Sequence, residues 1–177
     1  MNKKAQCNLV HALLVGIICG VVIAVYAALP IETPLYWACF IMIPVVFMFG
    51  GEWKDIPFHW VNVLIGLFLG GALTFVITQA LVPGIGLALA FGVATCVCTF
   101  LVQGLTTLFS PGALKPFWGR CPMAFVGMIT CFAAGGDKYP VAVVSLLVGV
   151  VTSTLMAQSG KLAARIVGFK PESNENE

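Results

Sequence analysis

Residues 8–29 read NLVHALLVGIICGVVIAVYAAL, an unbroken apolar run without Asp, Glu, Lys or Arg. As a helix rising 1.5 Å per residue, it reaches across a hydrocarbon core of roughly 30 Å. Lys3 and Lys4 precede it, as in a secretory leader. The run is longer than the roughly 7 to 15 residues of a leader, and no small-residue cleavage pattern follows, so it reads as a retained transmembrane helix.

Working outward, the whole chain has the same character. Of its 177 residues 60% are hydrophobic and 9% charged, with a mean hydropathy of +1.02; a soluble domain carries about 25% charged residues. Too few polar side chains exist to cover a surface in water, so lipid is the expected solvent. The net charge is +2 and the basic residues lie beside apolar spans, where they orient a membrane protein rather than bind nucleic acid. The seven cysteines, mostly inside apolar runs, do not form a secreted disulfide framework. Cys96 and Cys98, two apart, point about 200° from each other on a helix and do not chelate. No metal or cofactor is expected.

Cutting at Pro, Gly and charge yields six apolar segments: 8–29, 35–49, 60–81, 85–109, 122–134 and 139–157. Four are full length; the second and fifth, at roughly 20 Å, are short and are either spans or re-entrant. Six crossings place Lys3, Lys4, Lys54, Lys115, Arg120, Lys161, Arg165 and Lys170 on one face and Lys138 alone on the other. The excess marks the cytoplasmic side, so both termini are expected there, with 170–177 a disordered cytoplasmic tail. The fold class expected is all-α: a polytopic membrane protein of about six transmembrane helices in one domain, 1–169.

Laid on each other, residues 8–81 and 85–158 repeat their landmarks. Ala12-xxx-Gly16-xxx-Gly20 corresponds to Ala88-xxx-Gly92-xxx-Cys96, and Asn62-xxx-Gly66-xxx-Gly70 to Ser145-xxx-Gly149-xxx-Ser153. Tyr36-Trp37 matches Phe117-Trp118, Pro44 loosely matches Pro122, and Gly50-Gly51-Glu52 matches Gly135-Gly136-Asp137. Three crossings per copy make the repeats inverted, an arrangement found in transporters. The competing explanation is that small-xxx-small spacing serves helix approach in any bundle, which explains each motif but less well their order. Gly127 belongs with these expected packing residues.

In inverted-repeat folds the pathway lies where short or interrupted segments hold corresponding positions. Segments two and five do so, with Gly50, Gly51, Gly135 and Gly136 at their ends. Thr95, Thr99, Gln103 and Thr106 share one face of segment four. Such side chains either bond back to their own helix and glue neighbours or line a pore; Thr130, Gln79 and Thr152 carry the same two readings. No acidic or basic residue occupies the centre of a span, which disfavours a carboxylate proton relay. His11 and His59 lie near span ends, and with Trp37, Trp53, Trp60 and Trp118 they read as interfacial anchors. No nucleophile, carboxylate pair or phosphate loop is placed for catalysis. The expectation is a channel or facilitator for a small uncharged or weakly charged solute, homo-oligomeric in the bilayer. The alternative is an accessory subunit whose small-residue faces bind another membrane protein. Faces turned to a wet cavity favour the first; faces packed solid or turned to lipid favour the second.

Phe125-x-Gly127, Phe132-Ala133-Ala134-Gly135-Gly136-Asp137, Ser145-Leu146-Leu147-Val148-Gly149 and Ser159-Gly160 resemble the domain-of-unknown-function family of small bacterial inner-membrane proteins typified by YcdZ. The likeness is clearest over 124–164 and fainter over 36–51. It implies an inner-membrane location and several helices, and brings no reaction or substrate. The basic start and the polar stripe of segment four have no counterpart in it.

Overall fold

The computed structural model describes residues 2–108, 119–136 and 138–169. Six helices run through them: α1 (Lys3–Ala27), α2 (Tyr36–Met48), α3 (Trp53–Ile85), α4 (Leu87–Leu108), α5 (Cys121–Ala133) and α6 (Tyr139–Val167). No strand occurs among the described residues. The all-helical expectation holds, with α1, α3, α4 and α6 long and apolar enough to cross a membrane and α2 and α5 short. Phe117-Trp118, Lys115, Asp137, Lys170 and the tail at 170–177 lie outside the described residues.

Helix ends differ most from the sequence reading where charge was taken as a boundary. Lys161 and Arg165 are inside α6, which continues to Gly168, where a positive φ of 62° closes the helix. Lysine and arginine are good helix formers, so they mark where a helix leaves apolar surroundings, not where it ends. At its other end, α3 begins with a 3₁₀ turn at Trp53–Asp55, has Pro57 in its first α-turn and contains a π-helical stretch at Gly66–Ala72. It ends at Gly86, whose φ of 77° permits an immediate turn into α4.

The two short helices are interior. Along α2, Ala38, Met42 and Val46 have no exposed surface, and along α5 neither do Met123, Ala124 and Thr130. α2 packs along α6 and α5 along α3, while α1 lies on α6 and α4 on α3. Residue numbers rise together along the first two seams. Cys39 faces Ser145 and Gly51 faces Ala157 in one; Gly66 faces Ala124 and Gly71 faces Cys131 in the other. Each short helix is therefore parallel to its long neighbour. α1 is antiparallel to α6, with His11 Nε2 3.1 Å from the Met156 carbonyl and Tyr26 bonded to Ser145. One core joins the elements: Met42 and Val46 of α2, Val63 and Leu67 of α3, Met123 of α5, and Leu146 of α6.

The outside is apolar. Leu9, Leu13, Ile17, Val21 and Val25 form one ridge of α1, each more than half exposed. A face of this extent is far more than a monomer in water tolerates, and matches a membrane solvent.

Candidate functional site

Two seams hold the short helices. In the first, a Cβ on Gly66 would overlap the Ala124 carbonyl, and one on Gly127 would overlap the Val63 carbonyl and stand 2.7 Å from Leu67 N. Gly70 meets Met128 and Gly71 meets Cys131. In the second, a Cβ on Gly149 would stand 2.9 Å from Cys39 Cα, and Ser145 and Ser153 are fully buried on the same helix. Backbones meet directly in both seams, which is how small residues act where the hydrophobic effect does not drive association.

The small residues of α1 and α4 behave otherwise. Ala12, Gly16, Gly20 and Gly92 are exposed, and no described heavy atom lies within 4 Å of a Cβ built on any of the three glycines. They do not bring helices together within the described chain. Spacing defines a flat stripe but not its direction, and α1 meets α6 through His11 and Tyr26 instead.

The double glycines terminate the short helices. Gly50 and Gly135 donate to Phe47 and Phe132 at 3.1 Å, and Gly51 and Gly136 to Val46 and Cys131 at 3.2 Å, all four with positive φ. These are Schellman-like ends that other residues adopt only with strain. Gly51 is buried against Ala157 and Gly136 meets the Phe75 ring, while Gly50 and Gly135 are exposed. None of the four lines the groove between α1 and α6.

Hydroxyl groups in the spans mostly bond to their own helices. Thr106 donates to Val102 O at 2.9 Å, Thr130 to Val126 O at 2.8 Å and Thr152 to Val148 O at 2.8 Å. Thr99 reaches Met128 Sδ at 4.0 Å, Gln103 accepts from Cys121 Sγ at 3.0 Å on the surface, and Thr95 Oγ1 is buried without a partner. On α4 the stripe member bonded back to its own helix is Thr106, and Gln79 is exposed. A groove of about 450 Å³ opens between α1 and α6, and Thr152 is among its lining residues, but its hydroxyl is turned to Val148 O, and Val21, Val25, Trp60 and Val151 make the wall mostly apolar.

Polar side chains converge instead where α3 and α5 both begin. Arg120, at the N-cap of α5, places Nη2 2.8 Å from Asp55 Oδ1 and Nη1 2.9 and 3.0 Å from the two ring nitrogens of His59. Its backbone N–H donates to Asn62 Oδ1 at 3.1 Å, and Asn62 Nδ2 donates to Phe58 O at 2.7 Å. The guanidinium carbon lies 5.1 Å from the Phe49 ring centre and 5.6 Å from that of Phe58. His59 and Asn62 are fully buried, and the side chains of Arg120 and Asp55 are each 13% exposed. Beside this cluster Lys161 pairs with Glu52 at 3.3 Å with its side chain 63% exposed, and Gln158 Nε2 donates to Gly51 O at 2.6 Å.

The far end of the seam between α2 and α6 brings hydroxyl, thiol and aromatic groups together. There Ser145 bonds Tyr26, Cys39 donates to Ser145 O at 3.2 Å, and the rings of Tyr26 and Tyr36 meet edge-on.

Sequence reasoning missed the charged cluster. His59 reads as an anchor, Arg120 as one of several flanking cations, and Asn62 as a repeat landmark. The available signal was the spacing of Asp55, His59 and Asn62 at i, i+4 and i+7, which places all three on one helical face. Their partner Arg120 is too distant in sequence to have been paired with them.

No family model, curated protein or solved structure matches this chain. The reading of its function therefore stands on its own geometry.

Proposed function

We propose that this chain is a multi-pass protein of the bacterial inner membrane, built as two inverted three-helix repeats, that carries a small uncharged or weakly charged solute across the bilayer. Both termini are cytoplasmic, consistent with Lys3, Lys4, Lys161 and Arg165 near the ends of α1 and α6. It is not an enzyme, and it resembles the YcdZ-type family in location and helix content.

One observation carries this reading. Exchanging α1 with α4, α2 with α5 and α3 with α6 turns the packing of α1 on α6 into that of α4 on α3, and of α2 on α6 into that of α5 on α3. The exchange also maps Gly66 against Ala124 onto Gly149 against Cys39, and one double-glycine helix end onto the other. Generic packing of small residues does not require that correspondence, whereas an inverted repeat does. The glycine seams bring the backbones of α2 and α5 directly against those of α6 and α3.

The test is stopped-flow light scattering on liposomes holding the purified protein, with small neutral solutes and weak acids. Equilibration faster than in empty vesicles, slowed by Thr99→Phe, is the expected result. No acceleration for any solute with folded, inserted protein would refute the proposal.

A second reading, an accessory subunit, is favoured by the outward stripes Ala12/Gly16/Gly20 and Ala88/Gly92/Cys96. They are flat, with no described residue within 4 Å of a Cβ at Gly16, Gly20 or Gly92, and suited to another transmembrane helix, including that of a second copy.

A further inference from the structure

In a bilayer, α6 is longer than the layer it crosses. Its 29 residues rise about 43 Å at 1.5 Å each, against roughly 30 Å of hydrocarbon, so its last turns emerge among the headgroups. Those turns carry Lys161 and Arg165 four residues apart with Leu162 and Ile166 beside them, all four exposed, while Ser159 and Ala163 are buried. A helix face that mixes cations with exposed aliphatic side chains suits the layer where phosphate and hydrocarbon meet.

α1 brings a second pair of cations to the same place. His11, whose Nε2 is 3.1 Å from Met156 O and whose ring lies 3.5 Å from a Cβ built on Gly160, fixes the level at which the antiparallel helices meet. Lys4 is about 10 Å beyond His11 along α1, and Arg165 about 8 Å beyond Gly160 along α6, so the two emerge at one level. Lys4 also lies on the face of α1 that carries His11, two turns away.

Charge at this end is unbalanced. Of the acidic residues described, Asp55 pairs with Arg120, Glu52 pairs with Lys161, and Glu32 belongs to the connection between α1 and α2 at the opposite end. Lys3, Lys4 and Arg165 pair with no described carboxylate. Orientation in a membrane asks only that cations lie on one side. It does not require those of the first and last helices to share one surface with exposed leucine and isoleucine.

We infer that Lys3, Lys4, Lys161 and Arg165, with Leu162 and Ile166, form a docking surface for the headgroups of anionic phospholipids. The ammonium and guanidinium groups donate charge-assisted hydrogen bonds to the lipid phosphates, and the two aliphatic side chains meet the first methylenes of the acyl chains. A zwitterionic lipid brings its own cation beside the phosphate, so a lipid of net negative charge is preferred. This inference rests on the bilayer reading proposed above, and on neither the solute nor the repeat.

The experiment is native mass spectrometry of the purified full-length protein in a neutral detergent, counting bound lipid as dioleoyl phosphatidylglycerol or dioleoyl phosphatidylcholine is added. Tighter binding of phosphatidylglycerol is expected. Each basic residue beside an anionic lipid is worth about fivefold in affinity, so Lys3→Gln/Arg165→Gln should weaken phosphatidylglycerol binding about 25-fold. Lys138→Gln, at the opposite end of α6, should leave it unchanged. Size-exclusion chromatography checks that both variants are folded.

Equal binding of the two lipids would overturn the inference, as would the same loss in Lys138→Gln. Residues 170–177 carry Glu172, Glu175 and Glu177. A preference for phosphatidylglycerol that emerges only after all three are replaced by glutamine would assign the surface to the chain's own acidic end, and would also overturn the inference. Lipid preference without passage of any solute in liposomes upholds the surface and removes the transport reading. Passage of solute without lipid preference does the reverse.

Discussion

Gly127→Ala is the most direct test of the seam between α3 and α5. The added Cβ would overlap the Val63 carbonyl and stand 2.7 Å from Leu67 N, whereas ordinary contact begins at 3.4 Å. The second contact alone requires a shift of 3.4 − 2.7 = 0.7 Å, and the first requires more. Both obstacles are backbone atoms of a helix, so no rotamer change relieves them. Overpacking costs about 1–3 kcal/mol, and this site belongs at the upper end. The gain from replacing a helical glycine offsets up to about 1 kcal/mol, leaving a net loss of about 2 kcal/mol. Gly92→Ala, with nothing within 4 Å, serves as the reference and should be neutral or stabilising by up to about 1 kcal/mol. At about 2–4 °C per kcal/mol, the two variants should melt about 5–10 °C apart in detergent. Thermal unfolding followed by tryptophan fluorescence measures this. Equal melting temperatures for the two variants would refute the seam as described.

Three further outcomes are expected. Arg120→Ala leaves Asp55 with no guanidinium in a largely buried setting and should cost about 3–5 kcal/mol, with part recovered in the double variant Arg120→Leu/Asp55→Leu; thermal melts of the three proteins check it. Lys161→Ala breaks an exposed pair with Glu52 and should cost less than about 1 kcal/mol, so its melt should overlay that of the parent within a few degrees. In single-cysteine variants, a small maleimide should modify half-buried Cys121, at the start of α5, faster than Cys96, whose exposed face lies mid-span where an apolar solvent disfavours the thiolate, and buried Cys98 only after unfolding, as mass spectrometry over time will report.

Several parts of this architecture were legible in advance because they depend on composition and period alone. Uninterrupted apolar runs specify helices in a lipid solvent, and the double glycines at 50–51 and 135–136 mark short-helix ends because few other residues take a positive φ there. The stripes Asn62/Gly66/Gly70 and Ser145/Gly149/Ser153 could be read as packing faces, and it is the short helices that the structure places on them.

Direction and pairing were not legible. The stripe Gly66/Gly70 and the stripe Gly16/Gly20 have the same spacing, yet one is pressed against α5 and the other faces outward. Spacing states only that a face is flat; which neighbour covers it depends on all the other packing surfaces at once. The threonines of α4 share that ambiguity, since a hydroxyl bonded to its own helix and one facing a lumen have the same sequence signature. The Arg120 cluster shows the limit most sharply. Asp55, His59 and Asn62 lie on one face by helical period, but the cation that joins them is about sixty residues away in the chain and arrives only because α5 runs parallel to α3. Local periodicity comes from the backbone and is written in any short window of sequence. Long-range pairing is a global minimum over helix contacts, and only the tertiary structure decides it.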